Sequence, residues 1–463
     1  MNSNVSNILS RKDFTKWALH LSLPIMLQNL IDTLVNSADT IMLGYVSQTA
    51  MSASSLANQF TFVLFCFFYG LSTGTSVLCA QYYGKGDKKT VERIIGMSLR
   101  ITVIISTIFF LLGFLFPGTI MRIFTNSEAT IAEGIRYLRI SSFAFLFSGA
   151  AQVYISAIRS IGKVVFPSID CLVSLFTNIF FNAAFIFGFG FFPKLGVVGV
   201  ALGTVIARII ELLLCIIYSA YTKEARIRVK YLFAKAGILF KDFIVICLPA
   251  VGNDAIWALA TSVFAVILGH IGDDIVAANA VAIMVVNIGA VALRGFASAT
   301  TIVISQTLGR NEKEATKIYA KRMLLLTIFV GLIGCLIMIL VRPFILKFYA
   351  GKLTSQALEY LGIMIFMTTY RLIGEGINTA LICGCFRGGG DSKTGLILDT
   401  VFMWLVAIPL MAAAAYIFKF PPIWVYFVMT LDEYYKMPFV FIHYKKYKWL
   451  NNITRNETEL SAK

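Results

Sequence analysis

Asp32 and Asp39 stand seven residues apart in a stretch, residues 17 to 46, that is otherwise largely apolar, and Gln28 precedes Asp32 by four. At 3.6 residues per turn this spacing puts the three side chains within about 40° of one another on one helix face. A carboxylate in hydrocarbon is unfavourable unless it faces a partner or water, so two in one span point to a polar surface turned to the interior of a bundle. The competing reading makes both acids structural, hydrogen-bonded to Ser and Asn of a neighbouring helix.

Further along, Asn178 and Asn182 lie at i and i+4, and Thr204 follows the run Gly196-Val-Val-Gly199-Val-Ala-Leu-Gly203. With Asp39 they form either an all-oxygen nest for a hard monovalent cation such as sodium, or a hydrogen-bonded pocket around a protonatable acid. Asparagines in a span also serve simply to join helices, at about 1 kcal/mol each. The second half of the chain offers Asp254, Arg371 with Glu375 at i, i+4, and Asp399. Mutual neutralisation is the plain reading of Arg371 and Glu375. Arg387-Gly-Gly-Gly-Asp-Ser-Lys393-Thr394 imitates a phosphate loop, but Ser392 replaces the glycine before the lysine. It reads as a tight cytoplasmic turn, matched in the first half by Arg159-Ser-Ile-Gly162-Lys163.

The elements that must hold these residues follow from a duplication. Residues 22 to 87 align without a gap on residues 247 to 312, with Leu23-Pro24 on Leu248-Pro249, Leu43-Gly44 on Leu268-Gly269 and Gly84 on Gly309. With 58% hydrophobic and 14% charged residues in 463, the solvent for most of the chain is lipid. Stretches of about 20 apolar residues, enough to cross the hydrocarbon, recur twelve times. The prediction is an all-α membrane protein of twelve transmembrane helices in two six-helix bundles. Residues 1–221 form the N-terminal lobe, 222–241 a basic cytoplasmic linker on the membrane surface, and 242–463 the C-terminal lobe with its tail. Six spans per copy, an even number, make the repeats parallel, the arrangement of many secondary transporters with a substrate site at the repeat interface.

Net charge of +16 would suit a polyanion partner, but its placement excludes nucleic acid. With the N-terminus inside, the cytoplasmic loops and tails, including Lys436 to Lys463, carry 28 of the 40 Lys and Arg, which is the positive-inside bias of a plasma-membrane protein with both termini cytoplasmic. All eight cysteines fall in the spans or at a span end, where a thiol acts as a small hydrophobe, and none has zinc-site spacing. The three histidines, His20, His270 and His443, fall near span ends in separate segments, which argues against a membrane-embedded enzyme.

The motifs together resemble the MATE family, the multidrug and toxic compound extrusion transporters. They are Leu23-Pro24, Asp39-Thr-Ile-Met-Leu-Gly44, Ala80-Gln-Tyr-Tyr-Gly-Lys-Gly-Asp87, Leu195-Gly-Val-Val-Gly-Val-Ala-Leu-Gly-Thr204, and Arg387-Gly-Gly-Gly-Asp391 with Asp399 and Trp404. The resemblance covers essentially the whole chain. It implies two lobes forming a V, and export of organic cations or other amphipathic small molecules in exchange for protons or sodium, by a monomer without a cofactor. It places Asp39 at the family's first-span acid, Asn178 and Thr204 at cation-site positions, and Asp254 where many members carry Glu. Asn182 departs from a position that is often Asp. Asp39, with a second acid on its own helix and a polar shell from two others, is the expected coupling centre. The substrate cavity is expected to draw on Phe60, Phe143, Phe145 and Tyr154. A lipid-linked oligosaccharide flippase shares duplicated bundles but typically adds two helices and a cationic cavity.

Cysteine-accessibility labelling is expected to find residues 222–241 and both termini on the cytoplasmic side, and the Ser47-Gln48 and Asp273-Asp274 turns outside. Labelling of the linker from outside would overturn this topology.

Overall fold

The computed structural model describes residues 8–44, 46–190, 192–234, 237–456 and 459. Among them there is no strand. Apolar side chains all round a helix suit lipid on one side and a bundle on the other. The helices follow in chain order as α1 (Arg11–Gly44), α2 (Gln48–Lys85), α3 (Lys88–Leu115), α4 (Pro117–Phe124), α5 (Glu128–Ser160), α6 (Val165–Phe187), α7 (Val197–Tyr221) and α8 (Val229–Leu232). Then come α9 (Ile238–Gly269), α10 (Asp273–Gly309), α11 (Lys313–Tyr349), α12 (Ser355–Thr379), α13 (Ser392–Asp399), α14 (Ile408–Ala412), α15 (Pro422–Thr430) and α16 (Asp432–Lys445). Among the described residues ten helical runs are long and apolar enough to cross a membrane, with Ser392–Ile417 counted as one. Two more runs, α12 with its continuation Ala380–Phe386 and the pair α15–α16, carry charged residues and complete the twelve-helix layout.

The chain divides into two compact units, each discontinuous. Leu27–Cys247 associates with Thr454–Lys463, and Leu248–Ile453 with Met1–Met26. Helices α1 and α9 each run through a unit boundary, and each carries a proline within three positions of it, Pro24 and Pro249. A proline inside a helix removes one intrahelical hydrogen bond and bends it there.

In the N-terminal unit α5 is central, packed on α2, α3 and α7, with α6 against α7. Glycines permit the close approach. A Cβ at Gly149 would stand 2.6 Å from both Phe68 and Thr102 side chains. Phe68, Leu64, Leu138, Phe145 and Val200 belong to the core formed there. Phe145 and Tyr154, expected in a substrate cavity, are instead buried, and the Tyr154 hydroxyl donates to the Ala225 carbonyl at 3.2 Å. In the C-terminal unit α10 packs on α11 and α12. Three π-helical stretches, Ala380–Phe386, Thr400–Ala407 and Ala413–Ile417, interrupt its later helices. The N-terminal segment joins this unit through Phe14 stacked on Tyr319 and Arg322 donating to the Leu9 carbonyl at 2.7 Å.

The expected linker is stitched to the N-terminal unit. Arg228 pairs with Glu92 at 2.6 Å, Arg100 donates to the Ala234 carbonyl at 2.9 Å, and α9 already begins at Ile238. Glu224 accepts from Lys163 at 2.8 Å and from Lys88 at 3.3 Å. The hydrogen bond from Lys163 holds the Glu224 carboxyl below the usual glutamate range. A depressed carboxyl stabilises the fold fully above the unfolded value, about 4.3, and the contribution fades as pH falls through the folded value. Thermal melts in detergent should therefore show Glu224→Gln to be less stable than the parent at neutral pH, with the gap narrowing below about pH 4.3. A gap that is constant with pH would refute this role.

Candidate functional site

Asp39 lies in the last part of α1. Asn182 Nδ2 donates to Asp39 Oδ1 at 2.6 Å and also approaches Asn178 Oδ1 at 3.3 Å. Asn178 Nδ2 donates to Thr204 Oγ1 at 3.4 Å, and Thr204 donates to the Val200 carbonyl one turn back at 3.0 Å. One hydrogen-bonded chain thus joins α1, α6 and α7. Gly203 makes it possible, because a Cβ there would collide with the Asn182 amide and stand 3.0 Å from its backbone nitrogen. Asn178 and Asn182 are both buried, and Asn182 Oδ1 has no partner.

Asp32 and Gln28, although on the same stretch of α1, belong to a different cluster. They line a small polar cleft with Gln152, Arg159, Arg208 and Glu211. Among the described residues Asp32 accepts a long contact from the Cys171 thiol, 3.5 Å, rather than the Ser or Asn bonds of the structural reading. Gln28 donates to Ser168 Oγ at 2.9 Å. Arg208 is held by Glu211 at 2.5 Å, one turn along α7. Arg159 Nε is buried without a partner. Asp170 on α6 is fully buried, with Oδ1 unpartnered and the Cys215 thiol 3.9 Å from Oδ2.

In the C-terminal unit two of the three candidate acids, Asp254 and Asp399, join one continuous polar chain. Asp254 accepts from Arg387 at 2.7 Å, and the same Nη2 donates to Asn253 Oδ1 at 2.6 Å. Asn253 Nδ2 donates to Asp399 Oδ2 at 2.6 Å, and Lys436 Nζ donates to Asp399 Oδ1 at 2.8 Å. Lys436 also reaches Glu433 Oε2 at 3.1 Å, where Asn378 donates at 2.8 Å. The π-helical turns end at Arg387 and begin after Asp399, so the irregular backbone aims both side chains into the cluster. Arg371 pairs with Asp432 at 3.4 Å rather than with Glu375, since helix α16 brings in an acid that sequence spacing alone does not reveal. Glu375 is half-buried in the same helix as Arg371 and forms no ion pair among the described residues.

Lys436, counted in the sequence among the cytoplasmic tail charges, is 4% exposed inside α16. Asp170, Glu211, Asp432, Glu433 and Lys436 all lie within the expected spans. The rule that singled out Asp39, a charge inside a span, finds each of them when applied without exception. Asn253 and Asn378 carry no such signal. The two halves also correspond in one cation. Arg387 opens the turn after the tenth span as Arg159 opens the turn after the fourth.

A duplicated all-helical chain with ionisable clusters enclosed in lipid-length helices defines a polytopic membrane transporter. The chain belongs to the MatE family, whose model matches residues 24–184 and 249–413, and whose members are transporters, not enzymes. Among its relatives, the probable multidrug resistance protein YoeA of Bacillus subtilis is 25% identical, aligned over 83% of this chain and 84% of its own length. The probable multidrug resistance protein NorM of Thermotoga maritima is 24% identical over 94% and 93%. The fold is that of the Vibrio cholerae MATE transporter VcmN, with a TM-score of 0.86 at 16% identity over 94% of this chain and 97% of that one. It is also that of a MOP superfamily transporter from Pyrococcus furiosus, with 0.84 at 19% over 94% and 95%.

Gly203→Ala should displace Asn182 and lower stability by about 1–3 kcal/mol, as overpacking does. Gly252→Ala, whose Cβ would meet only Leu396 at an ordinary 3.5 Å, should not. Equal melting temperatures for the two variants would refute the close fit at Gly203.

Proposed function

We propose that the protein is a secondary multidrug efflux antiporter of the plasma membrane, acting as a monomer with both termini in the cytoplasm. It exports amphipathic or cationic small molecules in exchange for protons or sodium, with coupling centred on Asp39 in the N-terminal lobe. The observation that carries this reading is the chain from Asp39 through Asn182 and Asn178 to Thr204 across three helices. The multidrug names of the similar YoeA and NorM proteins support the substrate class.

The chemistry of exchange follows from what Asp39 accepts and donates. As a carboxylate it takes the Asn182 amide N–H. Once protonated it becomes a donor, and rotation of the Asn182 amide brings round the oxygen that has no partner in the present arrangement. A sodium ion would instead draw on the Asp39 carboxylate, the two amide oxygens and the Thr204 hydroxyl, an all-oxygen set suited to a hard cation. Either ion removes the free negative charge of Asp39, so an ion bound from outside weakens affinity for a cationic substrate, and release inside restores it. Asp254 and Asp399 already have protein cations on them, whereas no protein cation lies within ion-pair distance of Asp39 among the described residues.

Proteoliposomes with independently imposed pH and sodium gradients test this. Asp39→Asn should lower gradient-driven efflux of a cationic dye within the roughly 5- to 150-fold range typical of linked sites, at unchanged abundance. Asn178→Ala and Thr204→Ala should have smaller effects. The gradient that drives the parent identifies the coupling ion. Normal pumping by Asp39→Asn, with loss in Asp254→Asn, would move the coupling centre to the C-terminal lobe.

A further inference from the structure

The ammonium of Lys436 has an unusual setting. It is 4% exposed, 2.8 Å from Asp399 Oδ1 on α13 and 3.1 Å from Glu433 Oε2 on its own helix. The other cations of the cluster are engaged elsewhere, Arg387 by Asp254 and Asn253, and Arg371 by Asp432. Lys436 is thus the one charge that neutralises Asp399 and Glu433 directly. Around it the acceptors outnumber the donors. Asn378 Oδ1 and Asp432 Oδ2, on residues each only 1% exposed, are buried without partners. Carboxylate and amide oxygens at this density, away from water, are what a hard cation binds. A lysine ammonium is a compact point charge able to occupy such a place, unlike the planar fork of arginine.

The N-terminal unit shows a contrast. There Arg208 is held by Glu211 of the same helix, and among the described residues Asp32 accepts a thiol contact from Cys171 and forms no ion pair. Lys436 bridges acids from two helices and leaves neither open.

We propose that Lys436 is the resident cation of the C-terminal unit. Its ammonium fills an oxygen cluster that would otherwise take a monovalent metal ion, and so makes this unit closed to sodium. Removing the lysine leaves two buried carboxylates uncompensated, a state so unfavourable that an outside cation is drawn in. The inference deepens the proposed function by confining any sodium coupling to the N-terminal unit. It is tested by binding rather than by efflux, so the two readings fail separately.

The experiment is equilibrium binding of radiolabelled sodium to the purified full chain in nanodiscs, at one pH, in an Asp39→Asn background. With Lys436 intact, no saturable binding that depends on Asp399 is expected. With Lys436→Met, about one sodium per chain should bind. Adding Asp399→Asn should weaken that binding roughly tenfold or more, while Lys436→Arg should keep the site closed. Lys436→Gln replaces Lys436→Met if the latter is not monodisperse. Two results would overturn the proposal. One is sodium binding that needs Asp399 while Lys436 is intact, a measurement requiring no lysine variant. The other is a monodisperse lysine-free protein that binds no sodium.

Discussion

Hydrocarbon offers a charge nothing to bond with, and this constraint organises the protein. Every ionisable group placed in a span must find its complement in another helix or in a polar cleft, at a penalty of several kcal/mol otherwise. The C-terminal unit meets the demand by closing a chain of acids and bases, from Asp254 through Arg387, Asn253, Asp399 and Lys436 to Glu433. The N-terminal unit leaves two places less completely answered. Among the described residues Asp39 is bonded to the Asn182 amide and to no cation, and Asp32 opens on a cleft with Arg159. The difference between a neutralised and an unneutralised acid separates a brace from a group free to exchange its counterion.

Backbone irregularities serve the same requirement. Where side chains must turn inward at unusual angles, the helix widens into π turns on either side of Arg387 and Asp399. Where a polar side chain must cross to the next helix, glycine clears the path, as Gly203 does for Asn182. The price is local loss of regular packing, and the surrounding apolar clusters make up for it. Near the C-terminal end Arg455 is held by a bidentate bond to Asp242 at 2.6 and 2.7 Å.

The duplication gave both halves similar helices without giving them the same chemistry. Arg159 and Arg387 both follow a span at matching turns, yet Arg387 pairs with Asp254 whereas Arg159 forms no ion pair among the described residues. A parallel repeat preserves which face of a helix looks inward. It does not preserve what the neighbouring helix presents there, so a shared fold accommodates one closed and one open arrangement.

Much of this was readable from residues alone. Long apolar runs, the 225-residue offset and the motif set determined an all-helical, twelve-span, two-half architecture, because a lipid solvent permits few alternatives. The helical period determined that Gln28, Asp32 and Asp39 share a face, and that Asn178 and Asn182 do. Only the tertiary structure decided that this face divides, Asp39 to the amides and Asp32 to a cleft lined by Arg159 and Arg208, since a difference of two turns along α1 meets different stretches of α5, α6 and α7. It alone decided that Arg371 goes to Asp432 rather than to Glu375, and that Lys436 is a buried counterion rather than a tail charge. Periodicity reports direction from one helix axis, whereas a partner is set by which other helix stands there and at what height.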